Sequence, residues 1–81
     1  MFNNKTILIT GGTGSFGQAF VPIMLAKYNP RRLIIFSRDE MKQWEMAKCY
    51  HNEERVRFFI GDVRDKDRLS RALNGVDYVV H

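Results

Sequence analysis

The fold is decided by the stretch Thr6-Ile7-Leu8-Ile9-Thr10-Gly11-Gly12-Thr13-Gly14-Ser15-Phe16-Gly17. An apolar strand runs directly into a glycine-rich turn, and an amphipathic stretch follows at once. Gly11, Gly14 and Gly17 have the spacing G-x-x-G-x-x-G. This order of strand, turn and helix predicts a dinucleotide-binding βαβ unit, because it brings bare backbone up against a pyrophosphate.

Each of the three glycines has a separate predicted role. Gly11 permits a tight turn that a Cβ would obstruct. Gly14 lets the pyrophosphate approach the N–H groups at the helix N-terminus, and Gly17 lets that helix pack closely on the strand. The alternative is a loop that turns sharply for packing reasons alone. The strand, the helix and the second strand around the turn favour phosphate binding.

The composition indicates one small globular domain. The chain has 81 residues, 44% of them apolar, and its longest apolar runs are too short to span a bilayer. It opens at the first strand with no signal peptide, and its single cysteine, Cys49, cannot form an internal disulfide. We therefore expect a cytoplasmic protein with no membrane partner.

The net charge of +4 does not by itself indicate a nucleic-acid partner. The basic residues are not one block, and those near the end of the chain are mixed with acids. A solvated surface with some attraction for phosphates explains this pattern, so we expect no nucleic-acid binding.

Apolar runs alternate with helical patterns along the chain. We predict strands at residues 5–10, 33–36, 56–60 and 76–80, with a helix in each interval. The order β-α-β-α-β-α-β predicts an α/β fold with right-handed crossovers and strand order 3-2-1-4, the first half of a doubly wound parallel Rossmann sheet. Residues 1–81 would then be the N-terminal part of an NAD(P)-binding domain.

Local patterns predict how each helix packs and begins. The first helix has one apolar face, formed by Phe16, Ala19, Phe20, Ile23 and Met24. Ser37 and Glu40 match a capping box, which would start the second helix there and let it run to about residue 50. Met41, Trp44 and Ala47 share one side of that helix, and we expect Trp44 to serve packing. Asp65 is the better N-cap for the third helix.

The end of the second strand predicts the cofactor. An NAD-preferring site usually carries an acid there, but this chain has Ser37 and Arg38. Arg38 can hold a 2′-phosphate through two parallel hydrogen bonds, and Lys42 can add a second positive charge. The pattern therefore predicts NADP. In the alternatives, Ser37 only caps the helix and Arg38 is solvated, or Asp39 binds the ribose.

The loop after the third strand supplies a candidate adenine site. The Asp62 carboxylate can accept a hydrogen bond from the adenine amino group, and the Val63 N–H can donate to the ring. The alternative is that Asp62 caps the third helix. Elsewhere, no Cys/His cluster has metal-ligand spacing and no Ser/His/Asp arrangement is legible, so neither a metal site nor a catalytic residue is predicted.

Four segments together resemble the extended short-chain dehydrogenase/reductase superfamily: residues 10–17, 37–42, 58–65 and 75–81. Within it, they are most similar to the inverting UDP-N-acetylglucosamine 4,6-dehydratase family of pseudaminic acid and surface polysaccharide synthesis. The resemblance implies a lyase that retains NADP. Such an enzyme oxidises the sugar C4 hydroxyl, eliminates water across C5 and C6, returns hydride to C6 and epimerises C5.

The resemblance also implies a role for each matching residue. The implied cofactor contacts are Thr13, Gly14, Ser15 and Phe16 for the pyrophosphate, Ser37, Arg38 and Lys42 for the 2′-phosphate, Asp62 and Val63 for the adenine, and His81 for a segment along the cofactor. The implied substrate is a UDP-sugar, bound mainly beyond residue 81, and the implied assembly is a homo-oligomer.

The catalytic tyrosine of the superfamily is followed four residues later by lysine, and no such pair occurs in this sequence. We therefore expect residues 1–81 to bind cofactor without performing the reaction. Two alternatives stay open: a non-catalytic Rossmann module that senses NADP(H), and a related nucleotide-sugar 4-epimerase.

Overall fold

Four parallel strands form one sheet in the computed structural model, which describes residues 2–81. The elements in chain order are β1 (Thr6–Thr10), α1 (Ser15–Lys27), β2 (Arg32–Ser37), α2 (Glu40–Ala47), β3 (Val56–Ile60), α3 (Lys66–Ala72) and β4 (Tyr78–Val80). The strand order is β3-β2-β1-β4, which confirms the predicted half of a doubly wound Rossmann sheet.

The two central strands are buried on both faces, as their continuous apolar runs require. Ile7, Ile9 and Ile35 point to the side covered by α1 and α2, where Val21 and Met24 complete the larger core. Because strand side chains alternate, the next residues face the other way. There Leu8 and Phe36 pack with Ala72 of α3 in a second, smaller core.

The prediction of which face of α1 is buried is wrong, because the helix is rotated about its axis relative to that prediction. The buried residues are Gly17, Val21 and Met24, whereas Phe16 and Ile23 are 58% and 50% exposed. The reason is a close backbone contact, because a Cβ on Gly17 would overlap the carbonyl oxygen of Gly12. Since only the glycine face can approach the loop so closely, it turns inward and carries the bulkier face toward solvent.

The predicted capping box of α2 is also wrong. Asp39 is the N-cap, and its carboxylate accepts a hydrogen bond from the backbone N–H of Lys42. The helix begins at Glu40 and ends at Ala47, earlier than the predicted residue 50. A free carboxylate one residue before the helix satisfies the first-turn donors, so the Ser37 hydroxyl is left for other contacts.

Trp44 does not serve packing as expected, since it is 59% exposed. The buried residues of α2 are Gln43 and Met46. The Gln43 side-chain amide donates to the carbonyl oxygens of Ser37 and Phe59, and these two bonds draw that face onto the sheet. The Trp44 ring instead has the Lys48 ammonium 3.7 Å from its centroid.

The third helix begins as predicted, because the Asp65 carboxylate accepts from the backbone N–H of Arg68.

No helix within residues 2–81 has both the length and the apolar character needed to cross a bilayer.

Candidate functional site

A cleft of about 570 Å³ opens at the carboxyl ends of β1, β2 and β3. This is the edge of an open parallel sheet at which ligands bind. Eight of the residues singled out in the sequence line it: Gly11, Thr13, Gly14, Ser37, Arg38, Lys42, Asp62 and Val63. The lining also contains Asp39, the alternative ribose ligand of the sequence analysis, and the structure adds Phe36, Gly61 and Arg64.

The glycine loop forms one wall of the cleft. Gly11 has φ +61°, a left-handed conformation that glycine adopts without strain, but a Cβ there would meet nothing within 4 Å, so the turn favours glycine through its backbone and not through the predicted obstruction. Its N–H donates to the carbonyl oxygen of Phe36 at 2.8 Å, which ties the loop to the end of β2. Gly17 permits close packing as predicted, but against Gly12 in the loop rather than against the strand itself.

Gly12 and Gly61 were missed, although the structure depends on both. A Cβ on Gly12 would lie 2.8 Å from a methyl carbon of Ile35. A Cβ on Gly61 would lie 2.7 Å from the ring of Phe36. Both distances are shorter than real Cβ contacts, so a side chain at either position would force Ile35 or Phe36 to shift. The contacts join different elements, and no local sequence pattern signals them.

The N-terminus of α1 differs from those of the other two helices. Its N-cap, Gly14, has no side chain to accept a hydrogen bond, and the first turn contains no acidic residue. In α2 and α3 the corresponding position is an aspartate whose carboxylate accepts from the first turn. The first-turn N–H groups of α1 therefore have no side-chain acceptor, and because the N-cap Gly14 lines the cleft, positive potential that suits an anion lies beside it.

The end of β2 forms the second wall. The Ser37 hydroxyl accepts from the backbone N–H of Asp39 and lies 3.1 Å from the Thr13 hydroxyl. The Arg38 side chain is 72% exposed and lies 3.5 Å from the Asp62 carboxylate across the cleft. Ser37 thus braces the glycine loop, whereas Arg38 and Lys42 present positive charge to the cleft.

The third wall is the loop after β3, where Asp62 is bound by Arg64. Asp62 accepts from the Arg64 backbone N–H at 2.9 Å and from its guanidinium at 2.7 Å. The side-chain hydrogen bond from Arg64, followed by the backbone one, lowers the pKa of Asp62 below its usual range. Asp62 does not cap α3, since Asp65 does. Arg64 was missed, and its position two residues after Asp62 was the available signal.

Four predicted cofactor residues lie outside the cleft lining: Ser15, Phe16, Gly17 and His81. Ser15 to Gly17 form the start of α1, and the Phe16 ring stacks on Phe20. The His81 ring nitrogen Nδ1 lies 2.7 Å from the hydroxyl of Thr10, the last residue of β1. Among residues 2–81, no group of three or more His, Cys, Asp or Glu side chains could hold a metal.

Residues 7–81 match the protein family described as "Polysaccharide biosynthesis protein". The chain belongs to this family. The chain is 58% identical over 81 residues to the UDP-N-acetylglucosamine 4,6-dehydratase (inverting) of Campylobacter jejuni subsp. jejuni serotype O:2. That alignment covers 100% of this chain and 24% of the relative, and it confirms the predicted resemblance.

The chain is also 46% identical over 84 aligned residues to the UDP-glucose 4-epimerase of Rickettsia bellii. That alignment covers 100% of this chain and 24% of the relative. The chain thus spans about a quarter of the length of these curated relatives. Among solved structures, the X-ray structure of Pen from Bacillus thuringiensis superposes with a TM-score of 0.93 at 34% identity. The superposition covers 100% of this chain and 25% of the chain of Pen.

Proposed function

We propose that this chain is the NADP-binding segment of an inverting UDP-N-acetylglucosamine 4,6-dehydratase, a lyase of surface polysaccharide or pseudaminic acid synthesis. The observation that carries the proposal is the 58% identity, over every residue of the chain, to a protein named as that dehydratase. The cleft at the carboxyl edge of the sheet supports the cofactor role independently, through its shape and charge.

The glycine loop fits the pyrophosphate of a dinucleotide. Gly11 and Gly14 leave bare backbone along the cleft, and Gly14 is also the N-cap of α1, whose first turn has no side-chain cap. We assign the pyrophosphate to the backbone of residues 13–16, with Gly17 setting how closely α1 approaches. Phosphate oxygens would complete the hydrogen bonding that no side chain supplies there.

The end of β2 fits a 2′-phosphate better than a ribose hydroxyl. Arg38 and Lys42 both line the cleft, and the Arg38 guanidinium can bind a phosphate through two parallel hydrogen bonds. Asp39 is the acid that could bind the ribose instead, but its carboxylate caps α2. NADP is therefore the cofactor we propose, with Ser37 at the base of the phosphate site.

The loop after β3 fits the adenine. Asp62 and Val63 line the cleft beside Arg38, where a carboxylate can accept from the adenine amino group and an N–H can donate to the ring. We place His81 along the cofactor, because it lies beside Thr10 at the entrance to the glycine loop. These residues bind and orient the dinucleotide, and none of them touches a reacting sugar atom.

When bound, NADP would accept a hydride from the sugar and later return it. We place the UDP-sugar site and the catalytic residues in the remainder of the full-length protein, because this chain spans only 24% of the dehydratase relative and lacks the Tyr-x-x-x-Lys pair. We also propose that the full-length protein is cytoplasmic and homo-oligomeric and has neither a membrane nor a nucleic-acid partner.

The test is to incubate the full-length protein with UDP-N-acetylglucosamine and NADP and to follow the sugar nucleotide by mass spectrometry. Dehydration removes one water from the substrate, and NMR of the product reports the configuration at C5. Isomerisation with no change in mass would favour a 4-epimerase, which the 46% identity to the Rickettsia bellii enzyme supports. Tight NADP(H) binding with no turnover of either UDP-N-acetylglucosamine or UDP-glucose would favour a sensing module.

A further inference from the structure

Asp62 receives more donors than any other carboxylate of the cleft. Its Oδ1 accepts from the backbone N–H and the Nε of Arg64, and its Oδ2 accepts from Nη2 of the same guanidinium. Arg38 reaches Oδ2 from the other side, at 3.5 Å. The carboxylate thus holds Arg64 closely and Arg38 only at the limit of a hydrogen bond.

This arrangement decides which cation remains available to a ligand. Arg38 and Arg64 have side chains 72% and 77% exposed, so neither is held in place by burial. A carboxylate whose charge is already balanced by one guanidinium attracts a second cation less strongly than an unpaired carboxylate does. Arg64 therefore competes with Arg38 for Asp62. Arg64 binds the carboxylate at shorter distances and through more hydrogen bonds than Arg38 does.

The charges of the cleft lead to the same conclusion. Three cations line it, Arg38, Lys42 and Arg64, against the carboxylates of Asp39 and Asp62. The net charge is one positive unit, which attracts a phosphate. Without Arg64 the net charge would be zero, and the unpaired Asp62 carboxylate would both repel a phosphate and hold Arg38.

We propose that Arg64 is a positioning residue for cofactor choice: by neutralising and occupying Asp62, it leaves Arg38 free to bind a 2′-phosphate. This inference rests on the proposed dinucleotide function and deepens it. Arg64 acts through Asp62 and Arg38 and makes no contact with the phosphate itself.

The test measures the ratio of the dissociation constants for NAD and NADP in the full-length protein by isothermal titration. Arg64→Gln is expected to lower this preference for NADP about three- to fivefold, the range that an exposed charge pair supports. Asp62→Asn combined with Arg64→Gln is expected to restore the ratio to within about twofold of wild type, since no carboxylate then holds Arg38. Changes in the adenine contact cancel in the ratio, because both dinucleotides contain adenine.

Two matched variants control the measurement. Arg64→Lys keeps the charge beside Asp62 and is expected to keep the ratio. Arg31→Gln removes an exposed arginine at the opposite edge of the sheet, before β2, and is expected to leave the ratio unchanged. Thermal melts of all variants report folding, and the exposure of Arg64 favours an unchanged melting temperature.

Each other outcome overturns the inference in a distinguishable way. An unchanged ratio in Arg64→Gln, with both dinucleotides still binding, would show that Arg64 has no part in cofactor choice. A lowered ratio that the double variant does not restore would show that Arg64 contacts the phosphate directly. A wild-type protein that binds neither dinucleotide would overturn the proposed function, and the role of Arg64 with it.

Discussion

The hydroxyl oxygen of Thr13 lies 3.1 Å from the hydroxyl oxygen of Ser37, and both side chains are buried. The contact joins the glycine loop after β1 to the end of β2. Ser37 also accepts from the Asp39 N–H, and a hydroxyl has one proton and two lone pairs. If Thr13 donates, Ser37 keeps its proton for a ligand in the cleft. This hydrogen bond therefore ties the glycine-loop wall of the cleft to the β2 wall, and it leaves one of the two hydroxyl protons free to donate.

Replacement of Thr13 tests that contact. Thr13→Val substitutes a methyl group of similar shape and leaves the Ser37 hydroxyl without this partner. We expect the free energy of unfolding to fall by about 1 kcal/mol, the usual net value of such a bond. Urea denaturation measures the loss, and Thr13→Ser, which keeps the hydroxyl, is the control. Equal stability of the Val variant and wild type would show that the hydroxyls do not pair in solution.

Alanine should destabilise the fold at Gly17 but not at Gly14. The added Cβ at Gly17 would overlap the backbone of Gly12, which cannot move aside as a side chain can. We expect Gly17→Ala to lower the melting temperature, at a cost of about 1–3 kcal/mol. Gly14 has φ −78°, and its Cβ would meet only the Gly11 carbonyl oxygen, at an ordinary 3.4 Å. Gly14→Ala should fold normally, and Gly14→Val should also fold but lose dinucleotide binding. A normal melting temperature for Gly17→Ala would contradict the packing shown here.

Removal of the Arg38 guanidinium should discriminate between the two dinucleotides. Arg38→Ala is expected to weaken NADP binding by about tenfold or more, since a charge-assisted hydrogen bond is worth roughly 1.5–3 kcal/mol. NAD binding should change little, because NAD has no 2′-phosphate for Arg38 to hold. Titration calorimetry with both dinucleotides measures the difference. Lys48→Ala, which removes a charge beside Trp44 instead, is the control. Equal losses for NAD and NADP would exclude Arg38 as the phosphate ligand.

The Asp62 carboxyl should remain ionised below the pH at which ordinary aspartates protonate. Hydrogen bonds from Arg64 lower its folded-state pKa below the usual 3.8. Its ionised form therefore favours the folded state above pH 3.8, and this contribution is lost as the pH falls through the lower folded-state value. The pair is exposed, so salt should weaken the effect. Carboxyl ¹³C NMR titration measures the pKa, and Arg64→Gln should raise it toward 3.8. A titration unchanged by that substitution would assign the shift to another group.

The alternation of strands and helices could be read directly from the sequence, and so could the strand order. Each central strand is a continuous apolar run, and parallel strands joined by helical crossovers allow few arrangements. The parallel order also requires the carboxyl ends of β1, β2 and β3 to meet at one edge, where the cleft lies. Gly11 is predicted from the glycine spacing, and Arg38 and Asp62 from their positions after the second and third predicted strands.

Only the tertiary structure decided which helix faces are buried and that Arg38 meets Asp62 across the cleft. Apolar periodicity placed Phe16 and Trp44 inside, yet α1 turns so that Gly17 meets Gly12, and α2 turns so that Gln43 reaches two carbonyl oxygens. The Asp62 carboxylate contacts Arg64 within its own loop and Arg38 after the end of β2. Strand order follows from local patterns and general topological rules. Helix rotation depends on individual backbone and side-chain contacts that have no sequence period, and the contact between Arg38 and Asp62 joins residues 24 positions apart in the chain.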